Sequence, residues 1–206
     1  MIVMGFLFLD IESFVDPKDE RSGLNPFHTK SKIFGIAYSY YALPKVPNVA
    51  QVKKPIFLFE WVEGSEKLLL EKFFSFLENI YTKDNLLKIV GFNHLAYDIP
   101  FLFSRMSFYK ISSQKDLFDK LFSVPRHVDL AQLGMALSEV TKRDEDFRCI
   151  SQKTINSYFK IPIKEGTGKD LSGYYLNKRF DLIEKYCSEE FTFELLYNSV
   201  LEYFLV

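Results

Sequence analysis

Cysteine is scarce: Cys149 and Cys187 are the two in a chain of 206 residues. They stand far apart and outside any metal-ligand spacing, and two thiols do not make the disulfide framework of a small secreted fold. A single disulfide stays open, but a reducing compartment, the cytoplasm, is the expectation. An excess of one charge is also lacking, since 26 Lys and Arg face 27 Asp and Glu for a formal net charge of −1. That excludes adhesion to nucleic acid or anionic membrane by bulk charge, yet says nothing about a local site. Long apolar runs are missing too. The longest, residues 1–9, is too short to span a bilayer. It has no basic flank or small-residue cleavage site and ends in Asp10-Ile11-Glu12, which argues for a buried strand over a signal peptide. Gly166, Gly168 and Gly173 form no phosphate-binding loop, because the Gly-Lys-Ser/Thr ending is missing.

What the chain has is apolar material. Hydrophobic residues make up 48 %, with 22 Phe, enough for one domain over 1–206 with a real core. Residues 2–10, 33–41 and 55–62 are rich in β-branched and aromatic residues and read as three strands of an antiparallel meander. Leu69, Leu70, Phe73, Phe74, Leu77 and Ile80 recur at helical spacing and predict a helix over 66–81. A strand over 88–92 leads to a helix from Asp98 to about Tyr109, with Pro100 tolerable in its first turn. A strand over 126–130 feeds a helix to about Val140, and 150–160 suggests a short helix. The charged stretch 141–148 reads as a connection and the glycines 166–173 as a loop. From Phe180 to the end, one long amphipathic helix is expected. Strands first, then strands alternating with helices, indicate an α/β domain with a mixed sheet.

Three acidic segments stand out. Asp10 and Glu12 are two apart on a strand, hence on one face, where two carboxylates repel unless a cation neutralises them. Chance alone yields about one such pair in a chain of this composition, so a solvated strand end is the commoner reading of the pair by itself. In Gly91-Phe92-Asn93-His94-Leu95-Ala96-Tyr97-Asp98-Ile99-Pro100-Phe101-Leu102 a strand ends, the chain turns and Asp98 opens a helix. Asp98 alone could be a plain N-cap. In Tyr186-Cys187-Ser188-Glu189-Glu190, Tyr186 and Glu190 are four apart and share a helix face, although a core Tyr beside a surface acid would look the same.

Together and in this order, the three segments resemble the Exo I, Exo II and Exo III motifs of the DEDD 3′→5′ exonuclease superfamily. "FLFLDIES" resembles the Asp-x-Glu strand, and "GFNHLAYDIPFL" is similar to the second motif of family-B polymerase proofreading domains. "YCSEEFTFELL" resembles the Tyr-x-x-x-Asp helix of the tyrosine subclass, DEDDy. "RHVDLAQL" is similar to a segment of stand-alone exonucleases related to those domains. One departure matters: Glu190 stands where the family has Asp; Lys185 stands where the histidine subclass has His, which leaves Tyr186 as the candidate for that role.

The resemblance implies an RNase H-like fold, a three-strand antiparallel meander continued by parallel strands and flanked by helices. It implies hydrolysis of the 3′-terminal phosphodiester of single-stranded DNA by a two-metal mechanism. Two Mg²⁺ or Mn²⁺ ions about 4 Å apart would be held by the oxygens of Asp10, Glu12, Asp98 and Glu190, with Asp10 bridging. Tyr186 would orient the attacking water, since a phenol with a pKa of about 10 is a poor base. Phe14, Asn93 and Phe101 are candidate contacts to the terminal nucleotides, and Lys30, Lys32, Arg105 and Arg126 candidate phosphate contacts. His28, His94 and His127 form no metal-ligand set. A role in DNA repair or proofreading, with a replication or repair protein as partner, would follow. Two alternatives remain: an RNase D-like 3′→5′ exoribonuclease, and a catalytically weakened nucleic-acid-binding scaffold that Glu190 would suit.

Overall fold

The computed structural model describes residues 4–15, 28, 30–42, 54–83, 86–137, 150–163 and 168–205. Five strands form one mixed sheet: β1 (Met4–Phe14), β2 (Lys32–Ala42), β3 (Ile56–Phe59), β4 (Leu86–Gly91) and β5 (Arg126–Asp129), in the order β3-β2-β1-β4-β5. β1, β2 and β3 pair antiparallel, while β4 joins β1 in parallel and β5 joins β4 in parallel. This is the RNase H-like arrangement the resemblance implies.

Alternation along β1 explains why it sits in the middle. Leu7, Leu9 and Ile11 face one core cluster, Phe6 and Phe8 the other, so both faces of the strand are covered. The first face is packed by α2 (Glu66–Tyr81), α3 (Asp98–Phe108), α4 (Gln114–Phe118) and a π-helical turn (Asp119–Ser123). The second is packed by α5 (Leu130–Met135), α6 (Gln152–Tyr158) and α9 (Phe193–Leu205). A third cluster joins Phe34 and Phe59 to α7 (Gly168–Leu176) and α8 (Phe180–Glu190). Among the described residues no helix is long and apolar enough to cross a membrane.

Helix α2 begins and ends where its apolar spacing predicts, and its N-cap Ser65 accepts a hydrogen bond from the Leu68 N–H. Elsewhere the boundaries shift. The third strand ends at Phe59, and Glu60–Glu63 wind into one helical turn, α1, closed by Gly64 at φ 95°. The single C-terminal helix is two, broken at Phe191, whose φ −73° and ψ 75° leave the helical region. Gly168 and Gly173 lie in a helix, because α7 buries Leu171 against Phe34 and so outweighs glycine's poor propensity. Residues 114–123, given no element above, carry α4 and the π turn, which bury Leu117 and Leu121. The helix after β5 ends at Met135, capped by Ala136, and does not run to about Val140 as expected; the connection at 141–148, Gly166 and Cys149 lie outside the described residues.

β4 accompanies β1 only as far as the Phe8–Val90 pair, while β1 continues to Phe14 beside β2 alone. The parallel strands part at their carboxyl ends, the position at which open α/β sheets place their ligands.

Candidate active site

Asp10 and Glu12 lie on this free stretch of β1. Once β4 has turned away, a backbone N–H on that edge needs another acceptor. Asp98 supplies it. Its Oδ1 accepts the Ile11 N–H at 3.0 Å, 87 residues away in sequence, in a buried position. The N-cap of α3 is Tyr97, and Asp98 is the first helical residue, so the carboxylate serves the strand and not its own helix. It thereby stands beside the peptide that joins Asp10 to Ile11.

The strand is shaped at this point. The β1–β2 register slips between Glu12 and Ser13, a bulge of the kind that re-aims side chains at sites. Opposite Glu12 stands Gly35, where a Cβ would come within 3.2 Å of the Glu12 Cβ and 3.3 Å of the Phe59 ring. Glycine leaves room for the acid. Glu12 and Asp98 are both buried, and their charge reaches Tyr97. Burial first, then the neighbouring Asp98 and Glu12 carboxylates, push the Tyr97 phenol up to about 12, against a hydrogen bond with Ser13 Oγ at 2.7 Å.

Helix α8 closes the site. The buried Cys187 thiol donates to Glu12 Oε1 at 3.6 Å. Tyr186 is buried with Phe34, Phe59, Leu171 and Ile183, and a Cβ added at Gly168 would lie 3.6 Å from its hydroxyl oxygen. Helical register puts position 190 one turn beyond Tyr186 and Cys187. The Glu190 side chain itself lies outside the described residues. Cys187 is a contact that sequence reasoning missed, because a lone apolar-looking cysteine beside a motif carries no signal of its own.

Four other candidates are placed as follows. Phe101 is fully buried and packs edge-on against Tyr97 at 5.6 Å, which takes it out of reach of a nucleotide. Asn93 adopts φ 56°, the left-handed conformation Asn tolerates, and serves the turn through its backbone. Arg105 is buried in an ion pair with Glu66, which removes it from phosphate binding. Lys32 donates to Glu60 at 2.9 Å and to Tyr175. Phe14 is half-buried, its ring 5.4 Å from that of Tyr175, while Lys30 and Arg126 are exposed.

The chemistry of the donor set suits a hard cation. Asp10, Glu12 and Asp98 offer only oxygen, the ligand atom a hard cation takes. Among the described residues no group of three or more His, Cys, Asp and Glu is placed so as to hold a metal ion.

Behind the site, His94 is fully buried with its Nε2 3.1 Å from His127 Nδ1. Burial lowers the His94 pKa to about 4, opposed by the Asp129 carboxylate and aided by His127, and burial lowers His127 as well. In the unfolded chain a histidine titrates near 6.5. Between those values the unfolded chain binds protons that the folded one refuses, so the stability is present above about pH 6.5 and drains away as pH falls. Roughly 3 kcal/mol should be lost by pH 4. Denaturant melts across that window should show this decline, and His94→Asn should flatten it; a flat wild-type profile would contradict a neutral buried pair.

No family model matches the sequence, and no curated protein matches it significantly. Among solved structures, the chain is similar to the zinc ion bound form of an E. coli ExoI-ssDNA complex, at 15 % identity and TM-score 0.48 over 77 % of this chain and 35 % of that one. E. coli Exonuclease I in complex with a dA16 oligonucleotide matches at 14 % identity and TM-score 0.46, over 82 % of this chain and 39 % of that one. An ExoI/SSB-Ct complex matches at 14 % identity and TM-score 0.44, over 70 % and 32 %. This chain spans about a third of the length of those chains.

Proposed function

We propose that this protein is a metal-dependent 3′→5′ exonuclease acting on single-stranded DNA, of the tyrosine subclass of the DEDD superfamily. The hydrogen bond from the Ile11 N–H to Asp98 Oδ1 at 3.0 Å carries the reading. It draws the second acidic motif onto the first, across 87 residues, at an open strand edge.

Asp10, Glu12, Asp98 and Glu190 would hold two divalent ions, Mg²⁺ or Mn²⁺. Bound there, such ions supply Lewis acidity and offset the charge of the scissile phosphate. The chain's own residues do the rest. The bulge at Glu12 and the bond from Ile11 hold two carboxylates in place before substrate arrives, a saving in reorganisation that a flexible surface acid would not provide. The Tyr186 hydroxyl orients a water for addition to phosphorus, and the bond to the leaving 3′-oxygen breaks, releasing a mononucleotide. Phe14, at the end of β1, contacts the terminal bases by stacking.

The test is a degradation ladder on 3′- and 5′-labelled single-stranded DNA, and on matched RNA, with Mg²⁺, Mn²⁺ and EDTA lanes. Stepwise loss from the 3′ end of DNA, abolished by EDTA, is the expected result. Preference for RNA would make it an exoribonuclease. No cleavage together with no Mn²⁺ binding by calorimetry would leave a nucleic-acid-binding scaffold.

Tyr186→Phe should lower turnover about a hundredfold, the cost of a misplaced reactant, with Mn²⁺ affinity unchanged. Single-turnover kinetics and calorimetry check the two halves; an unaffected rate removes Tyr186 from the mechanism.

A further inference from the structure

The loop that carries Asp98 to its place has no regular structure. Residues 92–97 connect β4 to α3, and buried N–H groups there need acceptors. One side chain provides several. Asp129, buried at the end of β5, accepts the Asn93 N–H at 2.8 Å and the Leu95 N–H at 3.3 Å. The same carboxylate caps α5 by accepting the Ala131 N–H at 3.0 Å. Three backbone donors from two segments converge on one anion.

The rest of the loop is clamped between that anchor and the helix. The His94 ring is held from β5 by His127, two residues before Asp129 and so on the same face of the strand. The His94 carbonyl accepts the Ile99 N–H at 3.0 Å, tying the loop to the first turn of α3. Gly91 permits this fit, since a Cβ there would lie 2.9 Å from both the His94 Cβ and the Leu9 carbonyl oxygen. Loop, β5 and the start of α3 therefore meet immediately behind Asp98.

We infer that Asp129 is a positioning residue for the nuclease site: by gathering the Asn93 and Leu95 amides it fixes the loop that sets Asp98 against the Ile11 N–H. The inference rests on the exonuclease reading for its effect on catalysis, but not for its effect on geometry. A helix cap alone would require only the Ala131 contact. The two loop amides are what a positioning role adds.

The Ile11 amide reports on Asp98 directly, so hydrogen exchange separates this role from general stability. In full-length Asp129→Ala, the amides of Asn93, Leu95 and Ile11 should exchange at least about tenfold faster, the equivalent of one lost charge-assisted hydrogen bond. Amides of the β2–β3 ladder should keep their wild-type rates. Mn²⁺ affinity and kcat should fall about ten- to a hundredfold, as for outer partners of metal ligands, with KM for the oligonucleotide unchanged. Asp129→Asn, which keeps one acceptor oxygen, should restore part of each and serves if the alanine variant does not fold. An Ile11 amide as protected as in wild type, or faster exchange spread evenly through the sheet, overturns the inference. A wild-type protein that cleaves no oligonucleotide sinks the exonuclease reading instead, while the exchange rates still decide whether Asp129 positions Asp98.

Discussion

Asp98→Ala should reduce 3′-end degradation of single-stranded DNA by about a thousandfold or more. A bound divalent ion is worth several kcal/mol of charge stabilisation in the transition state, and about 4 kcal/mol corresponds to that factor. Asp98 enters the site twice over. It would contribute a metal oxygen, and it is the acceptor that satisfies the Ile11 N–H where β4 has left the edge. Alanine removes both, so some stability should be lost as well. Asp98→Asn separates the two effects. Its amide oxygen still accepts from Ile11, so the thermal midpoint should stay near wild type, while the lost charge should still lower activity by orders of magnitude. Steady-state rates and thermal melts on the three proteins check this. An active Asp98→Asn enzyme would remove the carboxylate from the chemistry and leave it a purely architectural role.

Arg105→Met should destabilise the fold by about 3–5 kcal/mol, the cost of leaving a buried charge without its partner. Glu66 is buried and accepts from Arg105 Nε at 2.8 Å and Nη2 at 2.6 Å, from the Tyr109 hydroxyl at 3.0 Å and from the Ile33 N–H at 2.8 Å. Arg105 is held further toward the protonated form by Glu66, against the opposing effect of burial. For a chain of this size, 1 kcal/mol corresponds to roughly 2–4 °C, so the midpoint should fall by about 10 °C. The double variant Glu66→Met/Arg105→Met should recover part of that loss, because it buries no lone charge. Recovery should be incomplete, since the Ile33 N–H would lose its acceptor. Ile33 pairs with Ser13 across the bulge beside Glu12, so the network also supports the strand geometry of the site. A midpoint shift of under 2 °C in the single variant would mean that water compensates the exposed end of the pair.

Those two residues show how far sequence pattern reaches. Asp98 was legible because a strand, a turn and an acid at a helix start recur as a motif. Arg105 was not, since an arginine on a helix reads as a solvated surface or a phosphate contact until its partner, 39 residues away, is seen. Phe101 follows the same logic: apolar spacing in α3 serves core packing and base stacking alike, and only burial distinguishes them. Helix α7 is a third case. Its glycines signal a loop, and only the packing of Leu171 and Tyr186 around Phe34 makes a helix the better conformation there.

The sequence by itself determined which carboxylates are available and on which elements they ride, because side-chain periodicity on strands and helices is a local property of the backbone. It also determined which segments are strands, through apolar runs that demand burial, while the order β3-β2-β1-β4-β5 came from the tertiary structure. Only the tertiary structure decided that Asp98 satisfies the edge of β1, that Cys187 touches Glu12 and that Asp129 gathers the loop between β4 and α3. The first and third satisfy backbone N–H groups of β1 and of the loop after β4, and the second joins two side chains. Which acceptor or donor reaches each group depends on how distant segments pack, and no local pattern encodes that.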